Sequence, residues 1–261
     1  MTRFAVLALV LLAHPAHTND LRDALAPTGT LRATYIATNP VQAFVDPATK
    51  EVRGPAAEIT REMARQAGVP FTVTGARGVE GVIESVKSGQ ADIGFLAFDP
   101  VRAREVDFSA VYSLAQNTYL VRDASPIRSV ADVDRPGVRV GVGARDAGDY
   151  FLTRTLKAAE LKRNEGGVSD AIAQSLLAGE LEAYAGNRMR LNDVARRTPG
   201  LRLVPDNFYG VEQAVIVRKG EAGRLEIVNR VLTEARASGL IAGAIERAGL
   251  VGVDVAPAPA Q

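Results

Sequence analysis

The chain of 261 residues is 47% hydrophobic, 23% charged and 5% aromatic, a globular composition long enough for two lobes of about 100 residues, each with its own core. It contains no Cys and no Trp, and its two histidines, His14 and His17, sit beside an apolar N-terminal run. A histidine-activated serine or cysteine nucleophile, a Cys/His zinc site and a disulfide framework are therefore excluded. The chemistry left is that of carboxylates, Arg, Lys, Tyr, amides and backbone groups, with no cofactor or metal expected.

Arg3 precedes an unbroken apolar run from Phe4 to Ala13. That run falls well short of the roughly 20 residues a membrane span needs and suits the core of an export leader over residues 1–17. Without Cys there is no lipid attachment point, so the expected product is a freely soluble exported protein. Removing Arg3 makes the basic residues equal in number to the 30 acidic ones. Neutrality argues against nucleic acid or a membrane surface as the main partner.

The body alternates strand and helix twice. The spacing predicts a strand at 31–37, a helix at 55–67 opened by Pro55 and stopped by Gly68, and a short strand at 71–74. A helix carrying Val79, Val82, Ile83 and Val86 and a buried strand at 91–97 follow. A second run has a strand at 138–142, helices near 147–158 and 168–177, a strand at 181–185, a helix at 188–197 and a strand at 201–204. A strand at 211–217 and a helix carrying Leu225, Val228, Leu232 and Ala235 end the pattern, and a tail over 255–261 has nothing to bury. The β-α-β order implies parallel sheets in two α/β units, with ligands sitting beyond the carboxyl ends of the strands.

The loops at those ends carry modest signals. Asp99 before Pro100 is a well-formed helix start, and capping competes with ligand contact as its role. Gly141, Gly143 and Gly148 form a glycine-rich turn, but Asp146 stands where a dinucleotide fingerprint needs its third glycine, and no Gly-Lys-Ser/Thr loop is present. What survives there is a helix N-terminus able to receive an anion.

The run from Gly89 to Phe95, then Asp99-Pro100-Val101-Arg102 and Val106-Asp107-Phe108-Ser109 closing at Tyr112, resembles the family 3 solute-binding proteins of bacterial ABC importers, many of which serve polar amino acids. Arg53 to Ile59 is similar to that family's first helix start, Val138 to Val142 to its second-lobe strand, and Ala178 to Ala183 to a later motif. The resemblance implies the type II periplasmic-binding-protein fold, an α/β architecture with two lobes joined by two crossing hinge segments near 112–117 and 209–214. It implies a first lobe over 26–113 plus 214–254 and a second over 114–213. It also implies a periplasmic monomer that captures a small ligand by closure and delivers it to a membrane permease, without enzymatic activity.

The family's carboxylate-clamping arginine falls on Arg102, whose guanidinium offers a bidentate fork. Departures surround it. The family's Thr is Asp99 here, and its Ser or Thr two residues earlier is Ala97, which leaves only a backbone N–H. Its second-lobe Gly-Thr-Thr is replaced by Arg145-Asp146-Ala147, and its ammonium-binding aspartate is Asn187. Glu212 or Asp146 is then open to take a ligand ammonium, or the ligand lacks one there. Arg145 favours a second anionic group unless it pairs with Asp146. From the segment beginning at Asn39 only Phe44 can supply a ring over the ligand, lobe packing being its other role. An alternative is a dehydratase-like enzyme on the same fold, acting on a cyclic carboxylic acid with Glu212 or Asp146 as general acid.

Overall fold

In a computed structural model describing residues 16–144, 146–165 and 168–258, strands and helices alternate as the apolar spacing requires. Residues 1–15, which hold most of the expected leader, lie outside the described residues, as do Arg145 and 259–261. The first half runs α1 (Ala16–Leu25), β1 (Leu31–Ile36), the hairpin β2 (Phe44–Val45) and β3 (Val52–Arg53), α2 (Pro55–Ala67), β4 (Phe71–Ala76), α3 (Gly78–Lys87) and β5 (Ile93–Ala97). β1 pairs in parallel with both β4 and β5. α2 starts on Pro55 and stops at Gly68, whose φ of 65° lets it donate back to the last turn. Ile59 and Met63, one turn apart, are both fully buried, worth about 1.5–3 kcal/mol each.

After a single 3₁₀ turn (Arg102–Arg104) come β6 (Val106–Phe108) and the long β7 (Ser113–Arg122). The second half runs β8 (Arg139–Gly143), α4 (Ala147–Thr155), β9 (Glu160–Asn164), α5 (Asp170–Ala178), β10 (Ala183–Asn187), α6 (Arg188–Arg197) and β11 (Leu201–Leu203). β8 pairs in parallel with β9 and β10, repeating the parallel triplet of the first half. The long β12 (Tyr209–Arg218), α7 (Ala222–Ala237), α8 (Leu240–Arg247) and β13 (Val253–Val255) complete the chain.

Two strands join the halves. β7 and β12 pair with each other only over Ser113 to Asn117 and Tyr209 to Gln213. Beyond that overlap β12 runs along β5, while β7 runs along β10 and β11. The result is two lobes with two crossing segments. Each lobe buries apolar side chains on both faces of its sheet, with Leu31, Ile59, Phe95 and Val215 on one face of the first lobe and Val82, Leu96 and Ile216 on the other. In the second lobe Val140, Val142 and Leu152 oppose Leu120, Leu176 and Leu191.

The sequence reading named none of α1, the β2–β3 hairpin, β6 and the long strand β7 as elements, and it differs from the structure at three further places. β9, with the sequence ELKRN, was not foreseen because it is an edge strand with one apolar residue, held by its ladder to β8. α8 is a short helix behind Gly239, too brief for its apolar spacing to stand out. β13 pairs with β7 at the crossing, where Val255 opposes Ser113 and the N–H of Ala256 donates to the Tyr112 carbonyl. The chain is thus pinned through the first two residues of the expected tail.

Candidate ligand-binding cleft

Parallel strands of both lobes end toward the crossing, and between them lies a cavity of about 380 Å³. That size falls in the usual small-ligand range of about 300–1,000 Å³. Four of the nine residues expected to form a site line it, namely Asn39, Ala97, Asp146 and Asn187. Asp99, Arg102, Phe44 and Glu212 are not among its lining residues, and Arg145 lies outside the described residues.

Each placement has a local cause. Asp99 turns its Oδ1 inward to accept from the N–H groups of Val101 (2.8 Å) and Arg102 (3.2 Å), the capping role. Arg102 Nη1 donates to the carbonyl of Ala97 at 2.9 Å, so its guanidinium is held against the rim-forming end of β5. Phe44 sits half-buried in the β2–β3 hairpin, while the preceding Pro40 and Val41 reach the cavity. Glu212 is excluded by strand alternation: Val211 and Gln213 line the cavity, so the residue between them points to the opposite face. There its charge helps burial to raise the pKa of Tyr209, whose ring stacks on Phe151 at 4.7 Å. Of the two carboxylates considered for a ligand ammonium, Asp146 is the one in the cavity.

Asp146 caps α4 by accepting from the N–H of Asp149 at 3.0 Å. Its side chain opens to the cleft, yet the surrounding walls desolvate it and raise its pKa above the ordinary carboxylate value. Backbone N–H groups of Asp149 and Gly148 and the attraction of Arg190 offset part of that rise. Asn187 caps α6, its Oδ1 accepting from Met189 (3.1 Å) and Arg190 (3.3 Å). With that oxygen engaged twice, what Asn187 offers the cavity is its Nδ2 donor. An ammonium-binding role does not fit such a group, whereas an anionic or carbonyl oxygen does.

The sequence reading missed several lining residues. Arg190, one turn into α6, is the only cation among the described lining residues. Its i+3 spacing from Asn187 was the available signal, hidden within a helix that reads as a basic surface. Tyr184 supplies the only lining ring among the described residues, with its hydroxyl donating to Asn164 Oδ1 at 2.8 Å. Burial first, and the nearby Asp146 charge second, push its pKa up to about 12, so it stays a neutral phenol. Gly141 lets that ring in, because a Cβ there would meet Tyr184 Cδ2 at 2.5 Å. On the first lobe Gln42 is fully buried and donates to Gln213 Oε1 at 3.3 Å, fixing the amide that faces the ligand space. Asn117 uses Nδ2 on the carbonyls of Ala115 and Tyr209 at the crossing. Among the described residues the cavity thus carries one acid, one base and several amides on otherwise apolar walls, the pattern of a site for a small polar molecule.

Residues 31–248 match the family described as bacterial extracellular solute-binding proteins, family 3. The L-cystine-binding protein TcyJ of Escherichia coli is 23% identical over 193 residues, covering 73% of this chain and 71% of that protein. Among solved structures, an ancestral cationic amino acid solute binding protein is similar with a TM-score of 0.65 and 24% identity, over 87% of this chain and 98% of the other. The second substrate binding domain of a putative amino acid ABC transporter from Streptococcus pneumoniae gives a TM-score of 0.66 and 22% identity, over 83% and 98%. An ancestral cyclohexadienyl dehydratase gives 0.58 and 24%, over 86% and 94%. The fold shared with these structures is that of type II periplasmic binding proteins.

Proposed function

The chain belongs to the bacterial extracellular solute-binding proteins of family 3, and we propose that it is an exported monomer that captures a small carboxylate-bearing ligand, an amino acid or related polar metabolite, between its lobes. The captured ligand passes to the membrane permease of an ABC importer, which reads the closed form. The observation that carries this reading is the cleft itself, with Asp146 opposite a first-lobe rim on which Arg102 is already positioned. The lobe boundaries fall where β7 and β12 part, close to residues 113 and 213.

Ligand docks first on one lobe, where Arg102 turns the guanidinium N–H groups not engaged by Ala97 toward its carboxylate. Closure about the crossing then brings Asp146 and Asn187 onto the ligand. Contacts made only in the closed form shift the equilibrium by their differential affinity. The export leader, periplasmic location and Arg145 contact expected from the sequence belong to this same reading. The kinship with L-cystine-binding and amino acid transporter proteins supports an amino acid as cargo.

Native mass spectrometry of the purified mature protein, followed by calorimetry against an amino acid panel including L-cystine and L-arginine, tests the reading. The expected result is one bound small acid or amino acid. Arg102→Ala should then weaken binding by about 2–4 kcal/mol with folding nearly intact. Unchanged binding in that variant counts against the clamp.

The dehydratase reading draws on one observation, the raised pKa of Asp146 in the cleft, which suits a general acid. Turnover of a cyclic carboxylic acid followed by NMR would favour it over capture.

A further inference from the structure

Each lobe places an arginine three residues after an Asp or Asn that caps the turn at the end of a strand, Arg190 lining the cavity and Arg102 held at its rim. β5 lies between β1 and the crossing strand β12, and β10 lies between β8 and the crossing strand β7. Just beyond β5, Asp99 Oδ1 accepts from the second and third N–H groups that follow it, and the third belongs to Arg102. At the end of β10, Asn187 Oδ1 accepts from the second and third N–H groups that follow it, and the third belongs to Arg190. Arg102 and Arg190 are structural counterparts, one on each jaw.

Their side chains differ. Arg102 spends one N–H on the Ala97 carbonyl, whereas Arg190 lines the cavity with no ion pair or side-chain hydrogen bond among the described residues. Arg190 and Asp146 attract each other across the second-lobe wall without forming an ion pair. Beside Arg190 the free group of Asn187 is again a donor. Arg190 is exposed with the cleft as it stands, and closing the lobes over a neutral ligand would cover its guanidinium without supplying a counter-charge, an unfavourable state.

We infer that Arg190, with Asn187 Nδ2, receives a second anionic group of the ligand, so that the preferred cargo is an amino acid with an acidic side chain. This rests on the capture reading above. Arg102 takes the α-carboxylate, Asp146 the ammonium and Arg190 the side-chain carboxylate. Among the described residues, two guanidinium groups and one carboxylate then face two carboxylates and one ammonium, and their charges cancel.

The test is calorimetric titration of the full chain, stripped of endogenous ligand by unfolding and refolding, with L-glutamate, L-aspartate and L-glutamine. Wild type should bind an acidic ligand at least about tenfold more tightly than glutamine. Arg190→Met should weaken the acidic ligand by about 10- to 100-fold and glutamine, whose neutral amide oxygen makes a weaker bond, by less than about threefold. Arg190→Lys, keeping the charge without the fork, should fall between. Equal or tighter glutamine binding in wild type, or equal losses for both ligands in Arg190→Met, would overturn the inference. Binding of L-arginine alone would overturn it while leaving capture intact. Binding of no amino acid at all would overturn both.

Discussion

The first and second lobes are built from the same parts and differ in what they do with them. Each holds its central strand to the strand beside the crossing with a forked arginine. Arg32 reaches Asp92 through Nη2 (2.7 Å) and Nε (3.0 Å), and its backbone N–H donates to the same carboxylate at 2.8 Å. Arg139 meets Glu182 with the same three distances. In the first lobe the carboxylate is buried, at 2% exposure, while in the second it is 25% exposed. Repeated scaffolding sets the two jaws, and the departures from repetition mark where the lobes take on separate tasks. The first lobe presents amides and a tethered arginine, and the second presents Asp146 and an untethered one.

The largest effect expected from this comparison is on stability. Asp92 is the buried member and takes three N–H bonds from Arg32, while Arg32 itself stays 28% exposed, so Asp92→Ala should cost about 1–3 kcal/mol in denaturant unfolding. Glu182→Ala should cost less than half as much, because water reaches the carboxylate of that pair and not that of the first. Equal costs would mean that burial does not distinguish the two clamps.

A smaller effect concerns pH. The pKa of Asp146 is raised in the folded protein, so the native state holds that proton more tightly than the unfolded chain does. Stability is therefore lost as pH rises from the ordinary carboxylate range through the raised value. Asp146→Asn, which still caps α4, should remove that part of the pH dependence. Binding has the opposite sign, since an ammonium needs the ionised carboxylate. Affinity should fall as pH drops through the raised pKa, and Asp146→Asn should flatten that profile at a lower affinity. Calorimetry across the acid range checks both. An unchanged binding profile in the variant would remove Asp146 from ligand contact.

Much of this organisation was legible in the sequence. Pro55 and Gly68 bracket α2, and α6 spans residues 188–197 as its spacing requires, because helix ends announce themselves through local chemistry. Asn39, Ala97, Asp146 and Asn187 were legible as cavity residues because they follow strands whose direction the β-α-β order dictates. Glu212 was not, since the face a strand residue occupies depends on register, which the chain alone leaves unset. Asn187 was legible in place but not in role, because its oxygen is used by its own helix. Arg190 was hidden for a related reason: it is one of four arginines in α6, and nothing in the local sequence marks it as the one that faces the cleft.

Capture requires that the two lobes close on the ligand. The chain has no native Cys, so a pair introduced as Glu80→Cys and Ala171→Cys, in the first turns of α3 and α5, gives two unique spin-label sites, one per lobe. Pulsed electron paramagnetic resonance with and without a saturating amino acid, chosen as one that binds by calorimetry, reads the distance between them. Closure should give a shorter and narrower distance distribution on binding. Stoichiometric binding with an unchanged distribution would contradict it.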